Sequence, residues 1–476
     1  MKTAESWVNS YFASNPLLRS EINLVPLKKN AQFKTVLIYP NSYHIAMSNL
    51  GFQAIYYCLN QRLDTVCERY FYSPTDNTLQ SLEYRHSLKS FDIIAFSLCY
   101  ELDYYNAHRL LKRLGLNKNR EDRPHMPLVI IGGMVNAINF MPLSKFADAV
   151  FVGEAEESLL QFMDVLSRYK NLGSKDKKES FLNEIGAIEG IFVPGINHAN
   201  SVKPQHIRDL NKFCTASKIL SSKTEFANMF LIEISRGCPH RCNFCVTGCV
   251  FGKFRSRSLE AILKNVDFGM QYTNKIGLIG ASISDYPDID ALAFELEKRK
   301  AVVSVSSLRM ETVRPELLSL LSSSGQRTVT FAPEAGAESL RYSLNKKISN
   351  QAILDKIRMA KVCGIKIVKL YFMIGLPGEK DKDVEKIILF SAQAARILPI
   401  KLNIGIFIPK PKTPFENELL AEKEVIMARI KFLRHNLSGK KNIAFRISGY
   451  SEARKEFELS FADENFFDTS GGQASP

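Results

Sequence analysis

Six apolar runs of strand length recur through the second half of the chain. They are FLIEISRG (Phe230 to Gly237), KIGLIGA (Lys275 to Ala281), AVVSVSSL (Ala301 to Leu308), TVTFAPE (Thr328 to Glu334), IVKLYFMIGLPG (Ile367 to Gly378) and KLNIGIFIPK (Lys401 to Lys410). Their starting points lie 26 to 45 residues apart, with helical patterns such as RPELLSLLSSSG (Arg314 to Gly325) between them. Continuous runs are what parallel strands buried on both faces require. Six βα units at this spacing predict a partial (β/α)6 barrel of the TIM type, two units short of the usual eight. In such a barrel chemistry gathers in the loops that follow the strands.

A second series occupies the first half: KTVLIYP (Lys34 to Pro40), a weaker TVCERYFY (Thr65 to Tyr72), DIIAFSLCY (Asp92 to Tyr100), PLVIIGG (Pro127 to Gly133) and DAVFVGE (Asp148 to Glu154). Amphipathic stretches such as NAHRLLKRLG (Asn106 to Gly115) alternate with it, so the fold class is α/β, beginning with a doubly wound parallel sheet of about five strands. The expected division is an N-terminal helical lead (1–30), a Rossmann-like domain (31–200), a polar linker (201–224), the barrel (225–415) and a C-terminal helical extension and tail (416–476). A content of 45% hydrophobic and 24% charged residues excludes a disordered or fibrous chain. The longest uncharged segment, Pro127 to Ser144, is broken by glycines and a second proline, so no membrane span is expected and the cytoplasm is the expected location. The net charge of +14 suits anionic partners. Its clusters SKDKKES, NKK (Asn345 to Lys347), PKPK and GKKN are short and dispersed, however, so they read as solvated surface and nucleic acid is not favoured as a partner.

Nine cysteines in a reducing compartment do not make a disulfide framework. Cys58, Cys67, Cys99, Cys214 and Cys363 are scattered and read as small buried hydrophobes. The other four fall in RGCPHRCNFCVTGC, Arg236 to Cys249. Cys238, Cys242 and Cys245 form Cx3Cx2C directly after the first barrel strand, and no second pair of ligands accompanies them as a structural zinc site would need. Three soft thiolates suit a four-iron cluster in which one iron keeps an open position.

The motif Cx3CxFC, here Cys238, Cys242, Phe244 and Cys245, resembles that of the radical S-adenosylmethionine (SAM) superfamily. The resemblance implies a [4Fe-4S] cluster on the three cysteines, SAM on the open iron, and cleavage of SAM to a 5'-deoxyadenosyl radical, with Phe244 beside the adenine. It extends over roughly Phe230 to Phe415. Gly280, Ala281 and Ser282 stand where the family has a glycine-rich turn for the SAM amino group, although the acid that ends that turn is absent here. Ser306, Ser307 and Arg309 end the third strand near the expected ribose and carboxylate, Glu334 follows the fourth as the acid facing SAM, and Ile374 with Gly375 lies on the adenine side of the fifth. Cys249 is surplus to the motif and is set aside as structural.

The first domain resembles the cobalamin-binding, Rossmann-like domain that precedes the barrel in one class of radical SAM proteins. Ser97, Gly132, Gly133 and Glu154 occupy the matching strand ends, with the two glycines read as room for a bulky cofactor. His44, in SYHIAM, stands in register with the axial histidine of such domains, but the Asp and Gly that flank it there are missing. A polar or packing role is therefore assigned to it. The whole resembles an uncharacterised bacterial group. It implies a radical SAM enzyme that uses cobalamin to methylate an unknown substrate or to modify it by another radical route, with a ferredoxin or flavodoxin as reductant. The alternatives are methylthio transfer to RNA or protein and a non-catalytic, nucleic-acid-binding metalloprotein.

Overall fold

The computed structural model describes residues 15–469 apart from Asn77, Lys170, Asn171 and Gly173. The chain divides into two units, one of residues 1–208, 212–229 and 461–476 and the other of 209–211 and 230–460.

The first unit contains β1 (Glu21–Asn23), β2 (Phe33–Tyr39), β3 (Thr65–Phe71), β4 (Ile93–Ser97), β5 (Leu128–Gly132), β6 (Ala149–Phe151), β7 (Ile191–Phe192) and β8 (Ile219–Ser221). A six-stranded sheet runs β3-β2-β4-β5-β6-β7, one strand more than expected, parallel except where β7 runs against β6. Every residue of IIAFS in β4 is buried, as coverage of both faces demands. The chain passes from β2 outward to β3 and returns to the other side of β2 for β4, so the topological switch lies between β2 and β4.

Three expectations need correction here. The segment 201–224 is no free linker, because β8 pairs antiparallel with β1 through Ile22 and Leu220. The described part of the N-terminal lead is a single helical turn, Pro16–Arg19, followed by β1; residues 1–14 lie outside the described residues. Of the five scattered cysteines only Cys67 is fully buried, and Cys214 is exposed. The last described residues also belong to this unit: Phe467 stacks on His108 with ring centroids 4.2 Å apart, and Asn139 Nδ2 donates to the Ala462 carbonyl at 2.9 Å.

At the switch point Asp103 is buried and accepts from Asn41 Nδ2 at 3.0 Å. Burial lifts its pKa to about 6. Because the folded-state pKa is raised, the stabilising form is the protonated one, fully present below about pH 4 and lost as the pH rises through 6. Asp103→Asn is therefore expected to stabilise the protein by about 2–3 kcal/mol at pH 8, a gain that vanishes at pH 4 when urea unfolding is compared at the two values.

The second unit contains β9 (Phe230–Glu233), β10 (Ser235–Arg236), β11 (Arg255–Ser256), β12 (Lys275–Ile279), β13 (Val302–Val305), β14 (Thr328–Glu334), β15 (Ile367–Ile374), β16 (Ile400–Ile406) and β17 (Ile443–Ile447). Parallel sheets β9-β12-β13 and β14-β15-β16-β17 follow chain order, the order of a barrel. Leu308 N donates to Thr330 O at 3.2 Å where β13 meets β14, but no ladder forms there among the described residues, and the barrel is not closed. It has seven parallel strands rather than six. The region expected to be a helical extension carries β17 between helices Lys423–Leu437 and Tyr450–Ser460.

The strands β14 to β16 also differ from continuous burial. Val329, Phe331, Leu370, Phe372, Leu402 and Ile404 are buried, and Phe372 meets Phe390 of the helix Asp381–Ala395 at 6.4 Å. The opposite face, with Thr328, Thr330, Lys369, Tyr371, Lys401 and Asn403, stays accessible. Helices cover one face of this sheet, so its strands alternate.

Candidate functional site

The cysteine loop starts where β9 ends. Glu233 pins that end by accepting from Arg236 Nε and Arg257 Nη2, both at 2.9 Å. Gly237 turns the chain at φ +72, and a Cβ there would lie 2.5 Å from the Lys253 carbonyl, so the position requires glycine. Behind the loop, Asn345 Nδ2 donates to Arg241 O at 2.6 Å, and Asn243 donates through N to Leu344 O at 3.0 Å and through Nδ2 to Ser343 O at 2.8 Å. These three bonds straddle Cys242, which is buried, while Cys238 and Cys245 are partly exposed. His240 is tied to Asp285 by Nε2 at 3.1 Å.

Two cations flank the loop. Arg309 Nη1 lies 3.9 Å from Cys242 Sγ, and Lys346 Nζ donates to Glu334 Oε1 at 2.9 Å. Burial pushes the Cys242 thiol above its ordinary range, with Lys346 and Arg309 pulling the other way; burial likewise raises Cys238 and Cys249. The NKK stretch read as solvated surface is corrected in part, since Lys346 is only 5% exposed. The backbone is strained at Glu334, whose φ of +71 is a conformation such a residue holds only where the surroundings impose it, while Asn345 takes the left-handed φ of +56 that asparagine adopts readily.

Among the described residues no three His, Cys, Asp or Glu side chains converge as a single bare ion would require. Three soft thiols spread along one loop, with cations rather than carboxylates beside Cys242, fit a polynuclear anionic cluster better. Orphaned polar atoms stand nearby. Ser235 Oγ, Arg309 Nε and Glu311 Oε2 are buried without partners, at or just beyond the ends of β9 and β13.

The other expected residues are distributed as follows. Gly280 lets Ser235 approach, its missing Cβ falling 2.7 Å from Ser235 Oγ. Ser282 is buried and hydrogen-bonds Asp285, while Ser306 and Ser307 are exposed after β13. Phe244 and Met373 both pack against a cluster that includes Ala335, Leu376 and Phe407. The Ile374 side chain is fully buried, and Gly375 N donates to Glu379 Oε2 at 2.6 Å. Residue-by-residue reading missed Asp285, His240, Glu311 and Lys346. An acid three residues past Ser282 and a histidine inside the cysteine motif were the available signals for two of them.

In the first unit Ser97 pairs with Gly132 across β4 and β5. Gly133, at φ +109, is glycine because a Cβ would lie 2.1 Å from the Leu98 carbonyl; the close approach is of chain to chain. Glu154 accepts from Ile207 N at 2.8 Å and so holds the following segment. His44 makes contacts of 3.2 Å to Lys223 O and Glu225 Oε2.

Comparison with known proteins agrees with this geometry. The family description "Radical SAM proteins, N-terminal" matches residues 51–194, and "Radical SAM superfamily" matches 232–391. An uncharacterised protein of Methanocaldococcus jannaschii is 30% identical over 90% of this chain and 88% of its own length. The ribosomal protein uS12 methylthiotransferase of Clostridium botulinum is 23% identical over 58% of this chain and 70% of its own. The fold is similar to that of the radical SAM methyltransferase TsrM of Kitasatospora setae, solved with cobalamin and a [4Fe-4S] cluster bound, with a TM-score of 0.54, 14% identity, and 81% and 74% of the two chains covered. Motif, strand order and both halves of the chain thus lead to one assignment: the protein belongs to the radical SAM superfamily.

Proposed function

We propose that this chain is a cobalamin-assisted radical SAM methyltransferase whose Cys238, Cys242 and Cys245 hold a [4Fe-4S] cluster. The observation that carries the proposal is the cysteine loop itself, three thiols at the end of β9 braced by Ser343, Leu344 and Asn345 and flanked by Arg309 and Lys346. When bound, the cluster supplies the electron that cleaves SAM. This chain's residues orient and shield: Arg309 Nε and Ser235 Oγ are donors awaiting acceptors, Glu311 Oε2 an acceptor awaiting a donor, as the carboxylate, hydroxyls and amino group of SAM would provide. Lys346 and Arg309, ion-paired with Glu334 and Glu311, are the cations nearest Cys242 and favour its thiolate.

For cobalamin the support is the switch point between β2 and β4, where open α/β sheets take ligands. There Tyr100, 42% exposed, offers apolar surface beside the polar Asn41 and Asp103, and Met134, 58% exposed, follows the neighbouring β5. Methyl transfer is preferred to methylthio transfer because Cys58 lies in the helix Leu50–Gln61 and Cys67 within β3, so of the three only Cys99, past β4, stands at a strand tip. No helix among the described residues is long and apolar enough to cross a membrane. A thiolate-held cluster and nine free cysteines suit the reducing cytoplasm, and a ferredoxin or flavodoxin suits the electron supply. Anaerobic purification with hydroxocobalamin is expected to retain about one cobalamin per chain, read from its visible bands. Retention at background level would remove cobalamin from the reading.

A further inference from the structure

The accessible face of the β14–β17 sheet carries an electrostatic conflict. Lys369 on β15 and Lys401 on β16 stand directly opposite in register on the same face, with Thr330 of β14 as the next member of the row. Strands are about 4.8 Å apart, and like charges directly opposite each other destabilise a sheet. The next row holds Tyr371, Asn403 and, on β17, Arg446. None of Lys369, Lys401 and Arg446 is in an ion pair among the described residues. Lys369 Nζ lies 5.1 Å from the Tyr371 ring centroid, and Asn403, its amide oriented to satisfy both groups, accepts from Lys369 Nζ at 3.3 Å.

A bare solvated face would have no reason to set two lysines against each other across a ladder. We propose that this face binds a small-molecule substrate through a phosphate group held by Lys369, Lys401 and Arg446, with Asn403 and Thr330 as neutral partners. The charge favours one anion over the other: a dianionic phosphate leaves one of the three cations uncompensated, whereas one carboxylate would leave two. Position agrees with a substrate role. Met373 lies on the same face of β15 as Lys369, and it packs against the same apolar cluster as Phe244 of the cysteine loop. Four residues of strand put Lys369 about 13 Å from Met373, with Tyr371 between them on the same face, so the body of a small molecule would lie along Tyr371 between its phosphate and the loop. That the anion belongs to the substrate rests on the radical SAM reading; that it binds here does not.

The test uses the full chain without cofactors, melted at constant ionic strength in chloride, acetate or about 10 mM phosphate. Phosphate is expected to raise the unfolding midpoint by about 3–5 °C over chloride. Lys401→Gln should abolish that rise and, by removing the like-charge contact, raise the midpoint in chloride. Lys369→Gln is the second variant and should behave likewise. The proposal is overturned if phosphate does not stabilise the wild type, if acetate stabilises it as much, or if both variants keep the full phosphate effect. Loss of iron binding or of SAM cleavage would instead count against the radical SAM reading and leave this result untouched.

Discussion

Replacing Cys238, Cys242 and Cys245 together with alanine is expected to abolish the broad visible absorbance that the wild-type chain gains on anaerobic reconstitution with iron and sulfide. The basis is the donor set. Three thiols share one loop at the C-terminal end of β9, and the bonds to Ser343, Leu344 and Asn345 fix the middle one from behind. Cys249 is a useful contrast, since it lies on the short helix Val246–Cys249 outside the braced stretch. Cys249→Ala should keep at least most of the iron, about four per chain. Full absorbance in the triple variant would place the cluster on other residues; loss in Cys249→Ala would make that residue a ligand.

Gly248→Ala should remove the cluster nearly as completely without touching a cysteine. On helix propensity alone the change would be favourable by up to about 1 kcal/mol. Packing reverses the sign. A Cβ at 248 would lie 2.2 Å from the His240 carbonyl, where no side chain can move aside, and His240 stands between Cys238 and Cys242. Either the helix or the loop must shift, and His240 is also tied to Asp285, so the shift cannot be absorbed locally. We expect iron content after reconstitution to fall at least about tenfold, with far-ultraviolet circular dichroism close to wild type. Wild-type iron content in this variant would show that the loop tolerates the displacement.

What could be read from the sequence follows from burial. β2, β4 and β5 are covered on both faces and appear as unbroken apolar runs, so their existence and order were legible. β17 was not, because IAFRI is a half-exposed end strand between GKKN and a helix and offers no such run. β7 and β8, two and three residues long, are set by pairing to distant strands rather than by local pattern. In β15 the alternation of Lys369, Tyr371 and Met373 with Leu370 and Phe372 was present, but the longer apolar run around it masked the period.

The same division holds at the site. The cysteines announce themselves by spacing. Lys346 looked like one member of a charged surface run, and only the fold brings it to Glu334 and within electrostatic reach of Cys242. Gly133 was assigned to cofactor approach, and the contact it permits turns out to be with Leu98 of the same unit. Contacts of this kind join residues 12 to 104 positions apart, beyond what a local pattern can express.

The central claim is that the loop supports reductive cleavage of SAM. The most direct measurement is production of 5'-deoxyadenosine by the anaerobically reconstituted full chain given SAM and dithionite. The account predicts 5'-deoxyadenosine in the wild type at about four iron per chain and none in the triple cysteine variant. A wild type fully loaded with iron that leaves SAM intact under strong reductant would contradict it.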